Sequence, residues 1–206
     1  MARGRPRTAR LSSEIIVDTA MRTIDGGSPL SMSHIARELS VHVSSLYNHV
    51  GDRDGLIELL RVRISEEYPV PPLDGLTWQD AVRTVATTIH TAFLAHPRLI
   101  PYLADTPVSS PGIVEIYARL AEAMVDAGHS AQRASITIRM IDTLALGTAM
   151  VTSSSPAKWN DRSPGGQALI EAAETWDDDR DQTSEAFELS LRFILAGLEG
   201  ELAEQG

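Results

Sequence analysis

Not one cysteine occurs in the 206 residues, which excludes a disulfide scaffold, Cys-ligated zinc and thiol catalysis. Aromatic residues make up only 5% of the chain, so it offers little material for a large planar-ligand cage. Lysine occurs once, at Lys158; arginine supplies the remaining basic groups, a bias that fits GC-rich coding rather than mechanism. No apolar run reaches the ~18–20 residues of a membrane span. The start, MARGRPRTAR, lacks the apolar core of a secretion signal. HExxH, a glycine-rich phosphate loop and a G-x-S-x-G elbow are all missing. His90 and His96 are six apart, which puts them on different helix faces and argues against a shared metal. Asp177, Asp179, Asp181, Glu185 and Glu188 have the spacing of a calcium loop, but Gln182 stands where the turn needs glycine, and Ser184 where an apolar residue is usual. These absences predict a cytoplasmic chain with no membrane partner, no cofactor and no enzymatic activity.

What is present is acidic overall, at −10, but unevenly so. Residues 1–63 hold nine Arg against seven Asp and Glu, and four of those Arg fall in the first ten residues. Residues 64–206 hold nine basic groups against twenty-one acidic ones. A basic front and an acidic back suit a partner that is itself a polyanion, because cations at the contact release its counterions. Arg3, Arg5 and Arg7, with Gly4 and Pro6 between them, read as an arm able to enter the negative minor groove of DNA.

The apolar periodicity is helical throughout, with no alternating strand pattern of useful length, so the predicted fold is all-α. Ser12 or Ser13 caps a first helix that stops at Gly26-Gly27. Ser31 caps a short one from Met32 to Leu39, Ser40 to His42 break the pattern, and a second short helix runs from Val43 or Ser44 to Val50. Leu46 and Val50, four apart, mark its inner face. Ser44, Ser45, Tyr47, Asn48 and His49 remain for the outer one. All five are hydrogen-bonding types, where a generic surface helix would carry Glu and Lys. Two short helices joined this way form a helix-turn-helix, whose second member fits the ~12 Å major groove.

Beyond Gly51 the pattern divides the chain into a DNA-binding unit over 1–51, a connecting helix over 52–68, and a helical body over 69–206 behind the proline-rich stretch at 69–75. In the body, helices are expected from Thr77 to Ala95, Arg98 to Ala104, Gly112 to Ala127, Ser130 to Val151 and Ser184 to Ala203. A loop over Ser153 to Gly166 leads to a short helix over Gln167 to Trp176.

Leu46-Tyr47-Asn48-His49-Val50 followed by Asp52-Arg53-Asp54-Gly55-Leu56-Ile57 resembles the tetracycline-repressor (TetR) family of one-component regulators. The match is specific over about a quarter of the chain. Gly55 departs from the commoner alanine, which predicts a slightly weakened helix. The resemblance implies that Arg53 grips a phosphate, that Val43 and Ser44 help set operator sequence, and that the last two long helices build a four-helix bundle in a homodimer. In role, Tyr47 and His49 are placed at phosphate or sugar, with Val43, Ser44 and Ser45 nearest base edges. It further implies a ligand-responsive regulator, most often a repressor, on palindromic double-stranded DNA, with a small-molecule effector among the middle helices. Polar or aromatic groups on those helices are the candidates: His90, Phe93, His96, Tyr102, Arg139, Asp142 and Trp159. Arg139 and Asp142, three apart, are also placed to pair with each other. The alternative is an all-helical dimeric architectural or protein-interaction module with no effector.

Overall fold

The computed structural model describes residues 11–153, 166–168, 170–171 and 182–205. Among these there is helix and no strand. The helices are α1 (Ser13–Asp25), α2 (Met32–Glu38), α3 (Val43–Val50), α4 (Arg53–Glu67), α5 (Trp78–Ala95), α6 (Ile100–Ala104), α7 (Pro111–Asp126), α8 (Ala131–Ser153) and α9 (Gln182–Gln205). A single 3₁₀ turn, Pro97–Leu99, joins α5 to α6.

Side chains fix most of the starts. Ser12, Ser31, Asp52, Thr77 and Ser130 each accept a hydrogen bond from the backbone N–H three residues on, satisfying a donor that has no partner inside the helix. Three helices stop the same way. After α1 and α7 a glycine takes the left-handed conformation, Gly27 at φ 87° and Gly128 at φ 104°, and two amides fold back onto the last turn. After α2 the same stop is built on Ser40, at φ 55°, with Ser40 N–H bonded to Arg37 O and Val41 N–H to Ala36 O. Serine thus carries a strained backbone at the bend of the helix-turn-helix, where glycine would carry none.

Two apolar cores form. Ile16, Ile24, Ile35, Leu46, Leu56, Ile57 and Leu60 centre the head, which α1 to α4 enclose. Ala92, Leu99 and Leu103 belong to the same core, so the head is seated on the start of the body. The second core joins Trp78, Val82, Val85, Leu120, Met124, Ile141, Phe187 and Leu191 across α5, α7, α8 and α9. The predicted inner face of α3, Leu46 and Val50, is buried. Val17 and Met21 join Ile16, Ala20 and Ile24 on the buried face of α1, and Leu56, Ile57, Leu60 and Ile64 are buried on α4. Ala127 is exposed. The closing helix starts at Gln182 and ends at Gln205, two residues beyond the expected span at each end. The buried line of α8 is Ala134, Thr137, Ile141, Ala145 and Ala149; Ile136, Met140 and Met150 face outward. Ala131–Val151 is also long and apolar enough on average to cross a bilayer, at mean hydropathy 1.3 with 28% of it buried. The loop at 154–165 and most of the short helix after it lie outside the described residues.

Gly55 has a steric reason. Gly51, at φ 78° and ψ −83°, forms a γ-turn in which Asp52 N–H bonds to Val50 O at 3.1 Å. That turn aims the Val50 carbonyl at Gly55, where an added Cβ would run into it. The expectation of a weak helix therefore gives way to one of a required glycine. Two substitutions test these turns by thermal or urea unfolding. Ser40→Gly is expected to gain about 1 kcal/mol through relief of the left-handed serine. Gly55→Ala is expected to lose about 1–3 kcal/mol by overpacking, although helix propensity alone predicts a gain of about 1 kcal/mol.

Candidate DNA-reading face and effector cavity

α3 is eight residues long and turns Leu46 and Val50 into the head core. Ser44, Tyr47, Asn48 and His49 are exposed; Val43 and Ser45 are half-buried at its sides. Tyr47 is 42% exposed, a large ring left in water on a helix that has a core to bury it in. The hydroxyl of Ser13 donates to His49 O at 3.1 Å, which holds the end of α3 against the start of α1. Arg22 and His34 both approach Glu38, and the Thr23 hydroxyl donates to the same carboxylate, so α1 and α2 are locked together. Arg3, Arg5 and Arg7 lie outside the described residues.

Arg53 opens α4 beside this face, and its guanidinium lies 5.6 Å from the centre of the Tyr102 ring, within cation–π range. The Tyr102 hydroxyl accepts a hydrogen bond from Leu30 N–H at 3.0 Å. Tyr102 is therefore a joint between head and body, not a cavity residue. His96 plays a similar part. Its Nδ1 sits 3.1 Å from Asp25 and its Nε2 3.8 Å from Glu67, bracing the ends of α1 and α4 against α5. Arg98 adds a bond to the Asp25 carbonyl.

Among the candidates proposed for an effector, Phe93 lines a cavity. This is a narrow space of about 90 Å³ between α4, α5, α6 and α7, walled by Ile64, Ile89, Phe93, Leu103, Ile113 and Ile116, with Arg61, Tyr68 and Tyr117 also on its surface. It is smaller than the roughly 150 Å³ of an engineered cavity that admits benzene, so a ring-sized occupant must part its walls. His90 is buried elsewhere, stacked on Phe187 at 3.8 Å between ring centres and 7° between planes. Trp159 lies outside the described residues. Arg139 and Asp142 line a second, open groove of about 530 Å³ between α7 and α8. They do not pair as expected: the Asp142 carboxylate accepts from the Tyr117 hydroxyl at 2.7 Å. Tyr117 borders both spaces, so this bond is the partition between cavity and groove.

Arg61 and Glu58, three apart on α4, were not singled out from sequence, yet they hold the cavity's mouth. Arg61 Nε donates to Glu58 at 3.0 Å, and Nη2 donates to Leu103 O, Thr106 O and Thr106 Oγ1 at 2.9–3.0 Å. Glu58 in turn accepts from the Ser109 and Ser110 amides at the start of α7. The pair thus ties α4 to the end of α6 and the beginning of α7. The only sequence signal was two opposite charges at helical spacing on a helix that otherwise buries leucine and isoleucine.

The two half-buried carboxylates respond to pH in opposite senses. Burial works to raise the Glu58 carboxyl, but the bonds from Arg61, Ser109 and Ser110 outweigh it and hold the group below its ordinary value. Its contribution is complete above that ordinary value and disappears as pH falls through the depressed one. At Asp142 burial dominates and raises the carboxyl despite the Tyr117 bond and the Arg139 and Arg61 charges. Its contribution is present at low pH and lost as pH rises through the raised value. Burial, then the Asp142 charge, pushes the Tyr117 hydroxyl far up, so it stays protonated and keeps donating. Asp142→Asn is accordingly expected to raise the melting temperature at pH 7–8 more than at pH 4. Glu58→Gln is expected to lower it at pH 7 and to flatten the acid limb of the stability curve. Unfolding scans from pH 3 to 8 check both signs.

The comparisons with known proteins agree with this geometry. The family described as "Tetracyclin repressor-like, C-terminal domain" matches residues 71–202. An HTH-type transcriptional regulator of Saccharopolyspora erythraea is 29% identical over 119 residues, 55% of this chain and 50% of that protein. The HTH-type transcriptional repressor DrrR1 of Streptomyces coeruleorubidus is 27% identical over 143 residues, 68% of this chain and 53% of that one. The chain spans about half the length of these curated relatives. Among solved structures, apo ActR from Streptomyces coelicolor superposes with a TM-score of 0.77 at 25% identity, covering 96% of this chain and 99% of ActR. ActR in complex with actinorhodin gives 0.75 at 27% identity, covering 94% and 99%. The family match spans more than half of the chain and the solved structures superpose along nearly all of it: the chain belongs to the tetracycline-repressor-like (TetR) family of transcriptional regulators.

Proposed function

We propose that this chain is a ligand-responsive repressor that binds a palindromic operator as a homodimer, with α3 in the major groove and the α4–α7 cavity as its effector site. The observation that carries the reading is the outer face of α3: Ser44, Tyr47, Asn48 and His49 stand in solvent on a helix whose other side is fully anchored. In this reading Tyr47 and His49 hold phosphate or sugar, Asn48 lies beside them, and Val43, Ser44 and Ser45 reach base edges. Arg53 takes a phosphate from its seat on Tyr102, and the arm with Arg3, Arg5 and Arg7 follows the minor groove. The division into a reading unit over 1–51, a connector over 52–68 and an effector-binding and dimerising body over 69–206 accompanies it. ActR, solved with actinorhodin, supports a small-molecule effector for a body of this shape.

The dimer is supported by a face that a lone chain leaves uncovered. Ile136 and Met140 on α8, with Leu189 and Phe193 on α9, are exposed, Phe193 to 69%. Gly147, Gly197 and Gly200 lie in the same two helices, and a Cβ at any of them would meet open space. A mid-helix glycine costs about 1 kcal/mol against alanine, so open glycines fit a second backbone approaching closely. Two copies bring two recognition helices onto one side of a duplex, ~34–36 Å apart.

The test is binding to the DNA upstream of the chain's own gene. Specific binding to an inverted repeat is expected there, weakening steeply with salt as counterions are released. Tyr47→Ala is expected to reduce it at least tenfold without changing the melting temperature by more than a few degrees. Phe193→Glu is expected to give a monomer by sedimentation and to lose operator binding with it. Equal affinity for operator and scrambled DNA would refute the reading.

A further inference from the structure

Resting on the reading of the α4–α7 cavity as the effector site, we propose that its ligand is an apolar ring or chain compound bearing an acceptor oxygen, and that Arg61 reads that oxygen. Among the residues lining the cavity, Arg61 is the only charged one, and its side chain is 13% exposed. Three of its donor contacts leave from Nη2 and one from Nε; Nη1 carries no hydrogen bond among the described residues. A guanidinium pinned on one edge and open on the other is already oriented, so an occupant spends nothing on ordering it.

Three of the four other polar groups do not compete for that part, and the fourth, the Tyr68 hydroxyl, is a neutral donor that costs less than a guanidinium to leave beside an apolar group. The Ser65 and Thr88 hydroxyls donate to Val62 O and Thr84 O of their own helices, and the Tyr117 hydroxyl donates to Asp142. All three thereby face an occupant as acceptors, which tolerate an apolar neighbour better than a charged donor does. Of the neighbouring carboxylates, Glu58 is occupied by Arg61 and two backbone amides, and Asp142 lies behind Tyr117. Neither is presented as a seat for a cationic ligand. A hydrocarbon covering Nη1 would strand a charged N–H away from water, whereas a carboxylate, sulfonate or ketone oxygen would satisfy it. The rest of the wall, with Ile89, Phe93, Ile113 and Ile116, takes the apolar body.

Three naphthalene fluorophores separate the possibilities by titration against the full chain: 8-anilinonaphthalene-1-sulfonate, the ketone 6-propionyl-2-(dimethylamino)naphthalene, and N-phenyl-1-naphthylamine, which has no acceptor oxygen. The sulfonate is expected to bind at least tenfold more tightly than the phenylnaphthylamine. Tight binding of the ketone as well shows that a neutral carbonyl suffices; tight binding of the sulfonate alone assigns an anion. Arg61→Met is expected to erase the preference, Arg61→Lys to retain part of it for the sulfonate, and Ile116→Trp to block all three probes by filling the cavity. Should Arg61→Met fail to fold, the wild-type preference and its loss in Ile116→Trp still decide. Equal affinities that Ile116→Trp abolishes, or a preference that survives Arg61→Met, overturn the assignment to Arg61 and leave the cavity standing. Titrations that Ile116→Trp leaves unchanged overturn the cavity as effector site together with the ligand class.

Discussion

The ion pair between Glu58 and Arg61 gives direction to the apolar core through which the head is seated on the body. On the proposed reading the head needs a fixed angle to the body for α3 to have any particular place on a duplex, and α4 belongs to both. Its apolar side alone would leave it free to slide, since isoleucine and leucine contacts have no direction. The guanidinium and carboxylate supply direction: they bond to carbonyls at the end of α6 and to amides at the start of α7, groups that a helix terminus leaves without internal partners. A small set of charge-assisted bonds in a half-buried place thus fixes the lever, and it does so on the wall of the cavity.

Around that clasp the joint is polar and narrow. Tyr102, His96 and Arg98 reach from the body to Leu30 and Asp25 at the edges of the head, each through one or two bonds. Arg53 leans on Tyr102, one residue before the Leu103 whose carbonyl Arg61 holds. Tyr102, on which Arg53 rests, and Leu103, part of the cavity wall, are consecutive residues on α6, so a shift of that five-residue helix is felt at both.

Much of this was legible in the sequence where the signal was local. The caps at Ser12 and Ser31, the glycines ending α1, and the polar outer face of α3 all depend on residues within a turn or two of one another. The effector candidates were harder for the opposite reason. His90, His96 and Tyr102 looked alike as polar groups on apolar helices, but what each does is decided by segments 71 to 97 residues away in the chain: Phe187, Asp25 and Leu30. Tyr117 and Arg61 passed unnoticed because tyrosine and arginine on amphipathic helices are ordinary until a cavity opens beside them. Gly55 misled in its own way, since helix propensity counts a glycine as a loss and has no knowledge of a carbonyl pointing at it.

One phenol and one carboxylate separate the inner cavity from the outer groove between α7 and α8. A party wall of this kind makes the two rooms interdependent. Enlarging the inner one at Tyr117 uncovers Asp142 and joins them, and a substitution at Asp142 made for the groove's sake loosens the ring that bounds the cavity. A substitution at either residue of that wall therefore alters both chambers at once.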